Sequence, residues 1–297
     1  MNQAKGATIV KKVRVNITRK CNIKCAYCYL KPSNHMMDTE TFSNILTRTK
    51  PDRVTLSGGE PFLHPLLFDF MEMAVRSEAS VNVVSNGTLI KRNLSRLSNL
   101  RTSLLRSDQS ITFSISLDGT TKCEMASIAQ LVNLGYKLQV YVYPFDTDVA
   151  SIMQQINNLP KVDSIQILFP VSLGRNAESR IFKKHWLDFV DSFQEACGRL
   201  NSRVYLQYGF SDGEAPEACG QGGFYDCDGT EYNCCLLAEV ISNGYRLPYP
   251  VCRVHEGQGC LALLTVHGED YRLAEDPLAP CPIYTVKEVL SHDGKSH

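Results

Sequence analysis

Residues 13–28 read VRVNITRKCNIKCAYC, and their interpretation decides the fold. Val13–Ile17 alternates β-branched and polar residues, the pattern of a strand with one buried face. Three cysteines follow at once: Cys21, Cys25 and Cys28. Working outward, strand patterns recur at Arg53–Leu56, Val81–Ser85, Ile111–Leu117, Leu138–Val142 and Ser164–Phe169. Helical patterns lie between and after them: Thr39–Thr49 behind the N-cap Asp38, Leu66–Ser77, Leu89–Leu100, Lys122–Leu134 ending at Gly135, Asp148–Leu159 and Lys183–Leu200. Strand–helix units in series predict an α/β fold with a parallel sheet. Right-handed crossovers curl such a sheet into a partial (β/α)6 TIM-like barrel over residues 1–200.

The composition sets bounds on function. Of 297 residues, 43% are hydrophobic and 21% charged, which is a globular rather than a disordered chain. Lys+Arg and Asp+Glu both total 31, so nothing in the net charge points to a nucleic acid or an anionic membrane as partner. No apolar run approaches the roughly 18 residues of a membrane span. The start, MNQAKGATIVKKVRV, lacks the apolar core of an export signal, so the expected location is the cytoplasm. Cytoplasmic thiols are kept reduced, and the 12 cysteines therefore read as metal or cluster ligands together with some core residues.

Cys123 and Cys197 stand alone on helix patterns, whereas Cys219, Cys227, Cys234, Cys235, Cys252, Cys260 and Cys281 crowd the last third. Residues 209–235, GFSDGEAPEACGQGGFYDCDGTEYNCC, show no period and little apolar content, so they are expected to fold around metal. A hairpin signal follows, Leu261–Val266 and Tyr271–Leu273 about the turn His267-Gly268. The expected division is 1–200 for the barrel, 201–290 for a Cys-rich extension and 291–297 for a flexible tail.

Three thiolates on one loop suit three irons of a [4Fe–4S] cluster and leave the fourth iron for a non-protein ligand. On spacing alone, a zinc site with a distant fourth ligand stays open. With Tyr27 before the third cysteine, this CX3CX2C motif resembles that of the radical S-adenosylmethionine (radical SAM) enzymes. The second strand ends in Ser57-Gly58-Gly59-Glu60-Pro61, which resembles the family's GGEP motif. The third and fourth strands end in Ser85-Asn86-Gly87 and Ser116-Leu117-Asp118-Gly119, also similar to the family. Motifs in this order at successive strand ends make the resemblance specific, and it covers about residues 13–175.

The resemblance implies that the open iron chelates the amine and carboxylate of SAM. It implies that Gly58 and Gly59 let backbone approach the ligand and that Glu60 holds the amino group. Tyr27, Asn86, Ser116 and Asp118 are implied to line the cofactor, Ser116 and Asn86 at its ribose or carboxylate. Leu173-Gly174-Arg175 resembles a segment lining the active site, and His64, just after GGEP, is a further candidate near SAM. The tail resembles auxiliary-cluster regions called SPASM or Twitch. By that resemblance Cys252, Cys260 and Cys281, with one upstream thiol taken as Cys235, hold a second [4Fe–4S] cluster. Zinc is the alternative there. An upstream thiol left over, among Cys219, Cys227, Cys234 and Cys235, is a candidate hydrogen donor to a substrate radical.

The function implied is reductive cleavage of SAM to a 5′-deoxyadenosyl radical that takes hydrogen from a substrate C–H bond. Auxiliary-cluster relatives mostly modify ribosomally made peptides, by crosslinking or epimerisation. About a dozen residues precede the first strand, so no N-terminal peptide-binding domain is expected there, and a separate binding protein or a small-molecule substrate would fill that gap. The reductant would be a flavodoxin or ferredoxin. Dehydrogenation or other modification of a small molecule or nucleotide is the alternative. A non-catalytic iron–sulfur or zinc protein for electron transfer or binding is the reading outside enzymology.

Overall fold

A computed structural model describes residues 11–104, 109–118, 123–143, 148–168, 188–189, 191–193, 195–196, 203–207, 223–232, 234–244 and 286–290. The six strands expected between residues 13 and 169 all form. They are β1 (Lys12–Thr18), β2 (Arg53–Gly58), β3 (Ser80–Ser85), β4 (Ile111–Leu117), β5 (Lys137–Val142) and β6 (Ser164–Ile167). Each pairs in parallel with the next. The helices between them are α1 (Thr39–Thr49), α2 (Leu67–Arg76), α3 (Ile90–Ser103), α4 (Met125–Asn133) and α5 (Val149–Asn157). Asp38 caps α1 as expected, its carboxylate accepting from Thr41 N at 2.7 Å.

One contiguous core joins alternate strand residues, including Val13, Val15, Ile17, Val54, Leu56, Phe113, Ile115, Val140 and Ile165, to buried residues of all five helices. The helices thus cover one face of the sheet, the arrangement that right-handed crossovers give a barrel. The other face is polar along the strands: Arg14 and Asn16 on β1, Ser57 on β2, Asn82 on β3, Ser114 on β4, and Gln139 and Tyr141 on β5. Ser114 ties two of these neighbours together, bonding Asn82 Oδ1 at 2.8 Å and Gln139 Oε1 at 2.9 Å.

The sheet is larger than the sequence suggested. Among the described residues it has ten strands in the order β10-β7-β6-β5-β4-β3-β2-β1-β8-β9. β7 (Arg203–Gln207) extends it in parallel beside β6, and β10 (Val286–Leu290) runs antiparallel to β7. At the opposite edge β8 (Phe224–Tyr225) lies parallel to β1, with β9 (Glu231–Tyr232) antiparallel to it. The sheet therefore runs across residue 201, where the composition shifts. Helix α6 (Cys235–Ser242) follows β9.

The expectation that residues 209–235 bury little is overturned for their second half. Phe224, Tyr225, Cys227, Cys234 and Cys235 are all buried, and α6 buries Leu236, Leu237, Ala238 and Val240 as well. Pairing with Arg14 and Val15 of β1 supplies the order that local sequence did not. Residues 169–187 and 245–285 lie outside the described residues, so Leu173-Gly174-Arg175, the 261–273 hairpin, Cys252, Cys260 and Cys281 are not described. The same holds for Cys197 and Cys219.

Phe113 joins core and site, with ring centroids 6.2 Å from Phe62, just after Glu60, and 5.1 Å from Tyr136. Phe113→Ala is expected to lower stability by about 3–5 kcal/mol, the cost of a large core cavity, measurable by denaturant titration.

Candidate active site

The cysteine loop leaves β1 at Thr18 and has little regular structure of its own; Cys28 N donates to Cys25 O at 3.3 Å. Its course is imposed by neighbours at the strand ends. Gly59 N donates to Thr18 O and Glu60 N to Lys20 O, both at 2.8 Å. The two glycines are needed for this contact. A Cβ on Gly58 would stand 2.0 Å from Thr18 O, and one on Gly59 2.2 Å from Lys20 O; Gly58 also has φ +130°. The structure shows one close approach at these glycines, that of β2 backbone to the cysteine loop.

Glu60 is fully buried and turns toward β3. Its Oε1 accepts from Phe62 N at 3.1 Å and Ser85 Oγ at 2.9 Å, and its Oε2 from Asn86 N at 2.9 Å. Burial pushes its pKa up to about 7 despite these donors. Asn86 carries the linkage back to the loop. Its Nδ2 donates to Asn22 Oδ1 at 3.0 Å, while Asn22 Nδ2 donates to Thr88 Oγ1 at 2.8 Å. Thr88 in turn donates from N and Oγ1 to Asn86 Oδ1, at 3.0 and 2.6 Å.

On the far side of the loop, Tyr27 Oη donates to Asp118 Oδ2 at 3.0 Å, just past β4. The Tyr27 ring stacks on Tyr143, just past β5, with centroids 4.2 Å apart. The loop thus rests on the C-terminal ends of β1 to β5, where barrels of this kind place their chemistry. Ser116 sits on β4 opposite Tyr141 of β5. Sequence reasoning missed Asn22, Ser85, Thr88 and Tyr143. Tyr143 could have been found as an aromatic at a strand end; Asn22 carries no signal of its own.

Cys21, Cys25 and Cys28 are each partly exposed. Burial pushes the Cys25 thiol up to about 11; Tyr27, hydrogen-bonded to it, pulls the other way, and Asp118, Cys28 and Cys21 add to the rise. Among the described residues no three His, Cys, Asp or Glu side chains converge as a closed metal cage. The donor chemistry nevertheless fits an iron–sulfur cluster. Three thiols share one loop, lie within electrostatic reach of one another, and include one whose ionisation needs a nearby positive centre.

The other cysteines separate by environment. Cys234 caps α6, its sulfur accepting from Leu237 N at 3.4 Å, and Cys235 packs with Phe224, Ala238 and Tyr29. Burial pushes Cys227 up to about 12, and adjacent Asp226 adds to this. His64 is structural. Leu66 N donates to its Nδ1 at 3.1 Å, so Nε2 carries the proton and donates to Met37 O at 2.9 Å.

Gly59→Ala drives a Cβ against a backbone oxygen that cannot swing away. A loss of about 3 kcal/mol in denaturant titration is expected, together with loss of iron binding at the first motif. Glu60 gives a pH signature. The folded chain keeps its proton up to about pH 7, whereas the unfolded chain releases it near 4.5. Stability should fall as pH rises through that window, by on the order of 3 kcal/mol, and Glu60→Gln should flatten the slope in pH-dependent unfolding.

The sequence profile described as the Radical SAM superfamily matches residues 15–132, which hold the cysteine loop, Gly58–Glu60, Asn86 and Asp118. The GTP 3′,8-cyclase of Helicobacter pylori (strain HPAG1) is 26% identical over 300 residues, covering 93% of this chain and 81% of that protein. The antilisterial bacteriocin subtilosin biosynthesis protein AlbA of Bacillus subtilis (strain 168) is 32% identical over 108 residues, 34% of this chain and 23% of that protein. The matched stretch spans as little as 15% of the length of other curated relatives. In fold, Streptococcus suis SuiB bound to precursor peptide SuiA aligns with TM-score 0.60 at 13% identity, covering 80% of this chain and 61% of that one. The loop of three thiols, the glycine contact that holds it and the agreement with this profile lead to one conclusion: residues 15–132 form a domain of the radical SAM superfamily.

Proposed function

We propose that this chain cleaves S-adenosylmethionine reductively and uses the resulting radical to modify a ribosomally made peptide, by crosslinking or epimerisation. The observation that carries the SAM chemistry is the braced cysteine loop at the strand ends. Cys21, Cys25 and Cys28 would hold a [4Fe–4S] cluster, which would supply the electron for reductive cleavage of SAM to a 5′-deoxyadenosyl radical able to take hydrogen from a C–H bond. The chain's own part is to hold and aim. Gly59 and Glu60 fix the loop, Asn22 and Asn86 fix its rim, and Tyr27 with Asp118 and Tyr143 closes the side toward β4 and β5. Asn86, Ser116 and Asp118 are the groups proposed to meet the ribose and carboxylate of SAM. A flavodoxin or ferredoxin is the proposed reductant.

Support for a peptide comes from the similarity to the subtilosin biosynthesis protein and from the fold shared with SuiB, whose complex holds a precursor peptide. One auxiliary [4Fe–4S] cluster on Cys252, Cys260 and Cys281 belongs to the same reading, its fourth ligand an upstream thiol among Cys219, Cys227, Cys234 and Cys235, with Cys235 preferred.

A second reading, a nucleotide or other small anionic substrate, is favoured by two observations. One is the similarity to a GTP 3′,8-cyclase across 93% of the chain. The other is Arg14, on the polar face of the sheet. Its Nη2 donates to Ser57 Oγ at 3.1 Å, and its buried Nε has no hydrogen-bond partner among the described residues. A guanidinium so placed suits a carboxylate or phosphate.

The test uses the anaerobically reconstituted full chain, with SAM and a low-potential reductant. It compares 5′-deoxyadenosine formation with a candidate precursor peptide encoded beside the gene and with GTP. Stimulation and a mass change in the peptide support the first reading; turnover of GTP, lost in Arg14→Ala, supports the second. Replacing Cys21, Cys25 and Cys28 by Ala should abolish 5′-deoxyadenosine in either case, and its persistence would sink the assignment of the loop.

A further inference from the structure

Arg19 lies two residues before Cys21 and is buried, yet no part of the SAM chemistry uses it. Its guanidinium engages two carboxylates from the far end of the chain. Nε donates to Asp226 Oδ1 and Oδ2 at 3.3 and 3.0 Å, and Nη2 to Asp226 Oδ2 at 2.6 Å. Nη1 donates to Glu239 Oε2 at 2.9 Å, and Nη2 also reaches Ser242 Oγ at 3.2 Å. Asp226 and Glu239 are 4% and 3% exposed, so the whole arrangement is shielded from water.

The other exit of the cysteine loop meets the same point. Lys31 N donates to Glu239 Oε1 at 2.7 Å, and Lys31 O accepts from Arg19 Nη1 at 3.3 Å. One ion cluster therefore grips the loop on both sides of its three cysteines and ties both grips to β8 and α6. Between the grips the loop has no strand or helix to set its path. Removing two carboxylates and a guanidinium from water is costly, and such a cluster adds geometric definition rather than simple stability.

We propose that Arg19, Asp226 and Glu239 are positioning residues for the cluster-binding loop, locking the spacing of Cys21, Cys25 and Cys28 to the 223–244 segment. The proposal rests on the reading of those thiols as cluster ligands. The segment behind β9 is then part of the SAM site, and a shift of α6 moves the loop with it.

The charge count makes the test practical. One cation and two anions leave a net charge of −1, so neutralising either carboxylate leaves a balanced buried pair. Asp226→Asn and Glu239→Gln are accordingly expected to fold. Glu231→Gln is the control, since Glu231 lies in the same segment, reaches the exposed Arg48 at 3.5 Å and the side chain of Tyr225, and takes no part in the Arg19 cluster. Two measurements are made on the full chain. The first is the electron paramagnetic resonance spectrum of the reduced, reconstituted protein and its change on adding SAM. The second is the alkylation rate of Cys21, Cys25 and Cys28 after iron removal, with Cys123, just before α4, as internal reference.

Asp226→Asn and Glu239→Gln should alter the SAM-dependent spectrum. They should also speed alkylation of the three loop thiols about tenfold relative to Cys123, as local rather than global opening requires; the control should do neither. Wild-type spectra and alkylation in both variants would overturn the proposal. So would equal acceleration at Cys123, which would mark a general loss of stability. A wild type that binds no SAM-responsive cluster would defeat the functional reading instead, while the alkylation comparison would still decide whether the ion cluster orders the loop.

Discussion

No side chain fits between the end of β2 and the start of the cysteine loop, and the site is arranged around that constraint. With Thr18 O and Lys20 O each about one bond length and a half from where a Cβ would sit, Gly58 and Gly59 put backbone against backbone. The amides of Gly59 and Glu60 then satisfy carbonyls that a loop leaving a parallel strand would otherwise present unpaired. Because Glu60 is pinned at its amide, its side chain can reach only sideways, to Ser85 and Asn86. Asn86 returns the constraint to the loop through Asn22. The result is a closed circuit of hydrogen bonds through three strand ends and the loop, in which displacing any one member strains the others.

Two buried carboxylate sites flank the loop and solve the same problem differently. Glu60 has only neutral donors, and its burial cost shows as a pKa raised to about 7. Asp226 and Glu239 have Arg19, and their charges are met by a cation with forked geometry. The first arrangement is local to the barrel. The second spans 207 and 220 residues of sequence, so it forms only when the last described helix has docked. Loop geometry thus depends on completion of the chain, which suits a site that must not be assembled before its surroundings can exclude water.

How much of this was legible in the sequence follows from how local each signal is. β1 to β6 were readable because their core-facing residues alternate with polar ones at period two and are rich in Val and Ile. The cysteine spacing and the GGEP run were readable because they are contiguous. β8 was not, being two residues long and ordered by pairing with Arg14 and Val15. α6 was hidden because Cys234 and Cys235 read as candidate ligands; in the structure Cys234 caps the helix and Cys235 packs with Phe224 and Ala238. Arg19 carries no local signal, because its carboxylate partners lie 207 and 220 residues away. The glycines were recognised as places of close approach, and the structure shows that the cysteine loop is one thing that approaches.

The polar face of the sheet gives the last step. Barrels of parallel strands ordinarily fill their interior with Val, Ile and Leu. Here most apolar strand residues face the helices, and the inward positions carry Val84 beside Arg14, Asn16, Ser57, Asn82, Ser114, Gln139 and Tyr141. Much of this polarity is internally paired, as Ser114 with Asn82 and Gln139 shows, so it is ordered rather than merely wet. Such a lining costs core stability, and it does so directly beneath a loop held by two independent networks. Under the proposed function, this ordered polar face favours a substrate that carries its own hydrogen-bonding groups to the sheet. Peptide backbone and nucleotide both meet that requirement, whereas an apolar substrate would leave that face's donors and acceptors unpaired.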